Sequence, residues 1–181
     1  MQMIQSKRVW IIVGQPNSGK SSVIRALTGI RNADIYQISE TIKPQPNTNT
    51  FYAFIIPSAL QELYRLIPSD YINFIENKVI PANLKGNNRG LNYIKSKWHN
   101  NINDLVLCLH PNNKNVGYDA KDYINAFIQV GWNIQPIIYL DIQNPPIITG
   151  TINHTVTARR NNPQISSNHT ANAIRKIWNW L

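Results

Sequence analysis

The stretch "VWIIVGQPNSGKSSVIRAL", Val9 to Leu27, decides the fold. It belongs to an apolar, β-branched run from Lys7 to Val13 that Gly14 closes. Such a run predicts a parallel strand buried on both faces. From Gly19 to Leu27 the period changes to helical, with Val23, Ile24 and Leu27 on one face. Thr28-Gly29 is the stop. A short loop joining a buried strand to a helix turns backbone N–H groups toward one point. The positive end of the helix adds to them, and an oxyanion is the guest this geometry suits.

The spacing sharpens that reading. Gly14, Gly19, Lys20 and Ser21 fill the pattern G-x-x-x-x-G-K-[ST]. The glycines allow backbone angles that other residues resist. The N–H groups from Gln15 through Pro16, Asn17 and Ser18 to Ser21, proline excepted, are expected around phosphate oxygens. Lys20 is expected at the β- and γ-phosphates, Ser21 at Mg²⁺, and Ser22 at the α-phosphate.

These residues resemble the Walker A region of P-loop NTPases. The segment "GQPNSGKSSVIRALTG", Gly14 to Gly29, is similar to the first motif of Era- and Obg-like GTPases. The resemblance implies a three-layer α/β P-loop fold that uses a nucleoside triphosphate and Mg²⁺, with Lys20 catalytic. Those GTPases also carry D-x-x-G and N-K-x-D motifs. The first does not occur in this chain, and "NKVI" at Asn77 and "NKNV" at Asn113 lack the aspartate that reads guanine. ATP is therefore the default nucleotide and GTP the alternative. The expected function is an Mg²⁺-dependent ATPase or a small kinase-like phosphotransferase. Two alternatives stand beside it: a nucleotide-binding module with little turnover, and an atypical GTPase.

The rest of the chain continues an alternation of strand and helix. "ADIYQIS", "TFYAFIIP", "DLVLCLHP" and "IQPIIYLD" read as strands. "SALQELYRL", "SDYINFIENKVI", "RGLNYIKSKWHNNI", "DAKDYINAFIQV" and "SSNHTANAIRKIWNWL" read as helices. "TIKPQPNTNT" reads as a loop, and "IQNPPIITGTINHTVTARRNNPQ" as a long irregular segment. The expected architecture is one P-loop domain over residues 1–181, with a mostly parallel sheet of about five strands and helices on both faces. In the last helix Ile174, Ile177, Trp178 and Leu181 form the core stripe, and Trp180 points outward.

P-loop enzymes need a carboxylate near the metal. Asp141, after "IIYL", and Glu40, after "IYQIS", are the two candidates. Arg159, with Arg160, is a candidate arginine finger or base contact. His110 ends an apolar strand and suits phosphate or water. Lys85 and Arg89 flank a glycine-containing loop that suits a lid, the alternative being solvated charge.

The net charge is +9. Two acid-free segments carry all of the excess: Asn77 to Asn103 with five basic residues, and Ile142 to Leu181 with four. A basic surface attracts phosphate-rich partners, so nucleic acid or a protein partner is a further expectation. Cys108 is the single cysteine and reads as a small buried hydrophobe. No apolar run reaches membrane-spanning length and no secretory pattern opens the chain, so no membrane partner and a cytoplasmic location are expected.

Overall fold

Side-chain alternation along β1 (Arg8–Gly14) organises the molecule outward from its centre. Val9, Ile11 and Val13 enter one apolar cluster, whereas Trp10 and Ile12 enter another. A strand with core on both faces belongs inside a sheet, and β1 has parallel partners on either side. The computed structural model describes residues 6–42, 47–84, 88–98, 102–113, 116–158, 162 and 164–181.

After β1 come α1 (Lys20–Thr28), β2 (Asp34–Ile42), β3 (Asn47–Ile56), α2 (Leu60–Leu63), α3 (Pro68–Asn77) and α4 (Arg89–Lys97). Then follow β4 (Asp104–Leu109), β5 (Asn112–Asn113), β6 (Tyr118–Asp119), α5 (Ala120–Gln129), β7 (Asn133–Ile134), β8 (Ile137–Leu140), β9 (Asn153–Val156) and α6 (Ser167–Trp178). The main sheet runs β2-β3-β4-β1-β8-β9, with β7 beside the start of β1. All its pairs are parallel except β2 with β3. The strands β5 and β6 form a separate small ladder.

Helices cover both faces. On one, Tyr71, Phe74, Leu91, Ile94, Tyr123 and Phe127 of α3, α4 and α5 pack on β1, β3 and β4. On the other, Val23, Ile24 and Leu27 of α1 meet Ala171, Ile174 and Trp178 of α6. Each large apolar side chain buried this way contributes about 2 kcal/mol. The Arg175 guanidinium of α6 donates to the Ala26 and Leu27 carbonyls at 2.9 and 3.1 Å, which satisfies the end of α1. This is the mostly parallel α/β sheet expected of a P-loop NTPase.

Several expectations need correction. The sheet has seven strands rather than about five. Its outer member β9 lies in the segment read as irregular, because of its four residues Val156 alone is buried and the apolar pattern is weak. The strands β2 and β3 run on into the loop read at "TIKPQPNTNT". The nine-residue helix read at "SALQELYRL" is the single turn of α2, and Arg65 just after it is left-handed with φ 52°. Trp180 is buried rather than exposed, and Leu181 is exposed rather than in the core. The cause is Asn179, left-handed at φ 56°, which breaks the helical phase after Trp178. Trp180 then turns edge-on to Trp10, with ring centroids 5.6 Å apart, and the Leu181 N–H donates to the Ser39 carbonyl.

At the amino edge of the sheet, Arg8 joins β1 to its neighbours. Its Nε donates to Asp104 at 2.6 Å and its Nη1 to Glu40 at 2.9 Å. Its guanidinium also lies 4.2 Å from the Phe51 ring centroid. Burial pushes the Asp104 carboxyl above its ordinary value while Arg8 pulls it down. Arg8→Ala is expected to lower the unfolding free energy by about 3 kcal/mol, because it leaves a buried carboxylate unpaired. With the upward push unopposed, the folded state holds a proton that the unfolded state releases. The deficit therefore shrinks below the folded pKa and grows as pH rises through it. Urea denaturation across the acid range checks both the size and the sign.

Candidate functional site

Between β1 and α1 the chain reverses in five residues. Asn17 is left-handed at φ 60° and Gly19 at φ 89°. Gly14 is required for closeness rather than angle: a Cβ there would stand 2.4 Å from Ser18 Oγ and 3.1 Å from Lys20 Cγ. The Ser18 N–H closes the turn on the Gln15 carbonyl at 3.2 Å. The Ser18 hydroxyl is buried, with no hydrogen-bond partner among the described residues.

Lys20 is 8% exposed, and its ammonium donates to the Gly14 carbonyl at 2.6 Å and the Gln15 carbonyl at 2.9 Å. The ammonium thus sits inside the loop. The helix it begins has no side-chain cap and no acid in its first turn. By contrast, α5 closes its own start with a capping box between Asp119 and Asp122, and Ser166 caps α6. The positive end of α1 is left for a ligand.

A cleft of about 520 Å³ opens on this loop. Pro16, Asn17, Gly19, Lys20, Ser21 and Ser22 form one wall. Ser58, Ala59, Glu62 and Leu63, after β3, face it, and Ser167 of α6 closes a third side. Ser21 Oγ donates to the Pro57 carbonyl at 2.8 Å, which ties the two walls together. The cleft lies at the carboxyl ends of the parallel strands, where such sheets receive ligands.

The expected site residues separate. Gly14 through Ser22 come together as one loop. Asp141 stands at the same sheet edge, since Leu140 pairs with Gly14. It is left-handed at φ 55°, and its Oδ1 accepts the Ala158 N–H at 2.7 Å, so it anchors the segment after β9. It does not line the cleft. Glu40 is at the opposite edge of the sheet, held by Arg8 and by Asn49 at 2.9 Å. The antiparallel course of β2 carries it away from the loop. Arg159, Arg160 and Lys85 lie outside the described residues.

The carboxylate that reasoning from sequence missed is Glu62. Among the described residues it is the one acid on the cleft wall. In the sequence it reads only as a first-turn acid that complements a helix dipole. The available signal was its place one turn after the strand that ends at Ile56.

His110 follows β4, which pairs with β1 directly. Its Nδ1 accepts the Asn112 N–H at 3.1 Å, so the neutral ring carries its proton on Nε2 and is a donor there. Burial lowers its pKa from the ordinary imidazole value; Glu62 raises it and Lys20 lowers it further. The register that sets Val13 against Leu109 puts His110 beside Gly14, where the loop begins. The Gln61 amide donates to the His110 carbonyl at 3.3 Å and holds the group to α2. Cys108 is buried on β4 as expected, its thiol pushed up to about 12 by burial.

Not all of the basic excess is free surface. Lys78 lies with Nζ 3.6 Å from the Trp98 ring centroid, and burial lowers its pKa to about 8. Arg175 is engaged at the end of α1. Among the described residues no helix is long and apolar enough to cross a membrane.

The sheet and the loop define a nucleotide-binding P-loop protein. The model of the 50S ribosome-binding GTPase family matches residues 9–52, which span β1, the loop, α1, β2 and the first half of β3. That segment carries the P-loop region of the NTPase superfamily, with a first motif similar to Era- and Obg-like GTPases. No curated protein and no solved structure matches the chain.

Gly14→Ala is expected to reduce nucleotide affinity at least tenfold, about 1.4 kcal/mol, because Ser18 and Lys20 must both move. Far-UV circular dichroism is expected to stay unchanged. Titration with a fluorescent nucleotide checks this.

Proposed function

We propose that the chain binds a purine nucleoside triphosphate with Mg²⁺ in the loop cleft and cleaves its β–γ phosphoanhydride. The observation that carries the reading is one cleft with three components: the uncapped start of α1, the Lys20 ammonium and the Glu62 carboxylate. The match to a GTPase family supports GTP ahead of the ATP that the missing guanine-reading motif first suggested.

The cation is tested by the donors present. Mg²⁺ takes oxygen ligands, keeps several waters and leans on substrate phosphates rather than on a protein cage. Ser21 and Glu62 offer two oxygen donors on facing walls of the cleft. Because Ser21 Oγ donates its proton to Pro57, its lone pairs are free to face a cation. Among the described residues no group of three His, Cys, Asp or Glu forms a self-contained metal site. The donor set fits Mg²⁺ shared with phosphate. When bound, the ion neutralises charge on the β- and γ-phosphates.

The chain's own groups do the rest. Backbone N–H groups of the loop orient the phosphates. Lys20 leaves the Gly14 and Gln15 carbonyls for phosphate oxygens. Catalysis of this kind is positioning and charge stabilisation, and these groups supply both.

Binding of GTP and ATP, each with and without Mg²⁺, tests the reading by calorimetry. Wild type is expected to bind with Mg²⁺, and Lys20→Ala to lose at least tenfold in affinity. Glu62→Gln is expected to match wild type without Mg²⁺ and to lose most of the gain that Mg²⁺ brings. Wild type that binds neither nucleotide overturns the reading.

A further inference from the structure

Across Ser58 and Leu63 from the phosphate cleft lies a second cavity of about 330 Å³. Those two residues line both spaces, so the spaces adjoin there. The second cavity also sits at the carboxyl end of β3, between the turn that follows α1 and the first turn of α4. Its size is at the lower end of the range of small-molecule sites, roughly 300–1,000 Å³.

Its chemistry is distinct from that of the loop. The floor is Ala33, Ile56, Leu60 and Ile94, all buried. Tyr64, at the end of α2, and Tyr93 of α4 line it, and Arg31 is exposed among its lining residues. Arg31 is exposed and makes no ion pair or side-chain hydrogen bond among the described residues. The Tyr64 hydroxyl likewise has no hydrogen-bond partner among them and is packed against Gly90. A Cβ on Gly90 would stand 1.9 Å from that hydroxyl. The missing side chain at Gly90 is what lets the Tyr64 ring lie where it does.

An apolar floor excludes polyols. Two tyrosines favour a flat ring, and a guanidinium with unengaged donors favours a carboxylate, which it binds through two parallel hydrogen bonds. We propose that this cavity is the acceptor site for the γ-phosphoryl group and takes a small hydroxylated aromatic acid. The ring lies against Tyr64 and Tyr93, the carboxylate meets Arg31, and the hydroxyl reaches the γ-phosphate where the two spaces adjoin at Ser58 and Leu63. The inference rests on the reading of the loop cleft as a site of triphosphate cleavage. In the transfer the acceptor oxygen forms a bond to the γ-phosphorus while the bridging β–γ P–O bond breaks. The nucleoside diphosphate leaves, and the hydroxyl proton passes to water.

The test uses 4-hydroxyphenylacetate and 4-hydroxybenzoate as probes, with phenol as the probe that lacks a carboxylate. Ligand-observed NMR measures their binding to the full chain, nucleotide binding is measured on the same samples, and ³¹P NMR detects aryl phosphate with triphosphate and Mg²⁺. At least one acid is expected to bind saturably, at least tenfold more tightly than phenol, and to yield aryl phosphate. Arg31→Ala, a surface change, and Gly90→Ala, which displaces Tyr64, are each expected to weaken acid binding at least tenfold and to leave nucleotide affinity within twofold. Neither acid binding, equal binding in wild type and both variants, or binding that never yields aryl phosphate overturns the acceptor site. If nucleotide still binds normally in those cases, the loop reading stands. Wild type that binds no nucleotide overturns the loop reading itself.

Discussion

Lys20 holds the loop together from within. Its ammonium bonds two carbonyls, those of Gly14 and Gln15, at 2.6 and 2.9 Å. The same contact keeps the loop open. A positive charge stored among carbonyl oxygens is ready to be exchanged for phosphate oxygens, which are stronger acceptors because they are ionised. Gly14 permits this closeness, Gly19 and Asn17 permit the turn, and Ser21 joins the loop to the opposite wall through Pro57.

Around that contact the fold behaves as a frame. β1 delivers Gly14 to the carboxyl edge of the sheet, and its two apolar faces fix it between β4 and β8. Each neighbour then brings its own end to the loop: His110 after β4 and Asp141 after β8. On one face α1 and α6 pack together with their amino ends toward the cleft, since Ser167 and Ser22 both line it. Arg175 secures the far end of α1. At the other edge of the sheet Arg8, Asp104 and Glu40 fasten β1, β4 and β2 in one network.

The parts legible in the sequence were those with a strong period or a fixed spacing. The apolar run of β1, the helical stripe of Val23, Ile24 and Leu27, and the loop pattern all specify local geometry by themselves. The burial of Cys108 followed from an equally local signal. What stayed hidden depends on contacts far apart in the chain. β9 is a strand because β8 offers it an edge, and its own residues barely alternate. Trp180 is buried because Asn179 turns left-handed and Trp10 lies waiting 170 positions earlier. Glu40 looked like a strand-end acid, yet the antiparallel direction of β2 puts it at the wrong edge. Glu62 looked like a helix-dipole acid, yet the single turn of α2 places it across from Lys20.

The central claim is that the loop exchanges its internal lysine contact for a triphosphate. A crystal structure with Mg²⁺ and a non-hydrolysable β,γ-imido nucleotide measures this directly. The account predicts the γ-phosphate between Gly19 and Ser21, with Lys20 Nζ moved from the Gly14 and Gln15 carbonyls onto phosphate oxygens and a lone pair of Ser21 Oγ on the metal. A nucleotide bound elsewhere, with Lys20 still on both carbonyls, contradicts it.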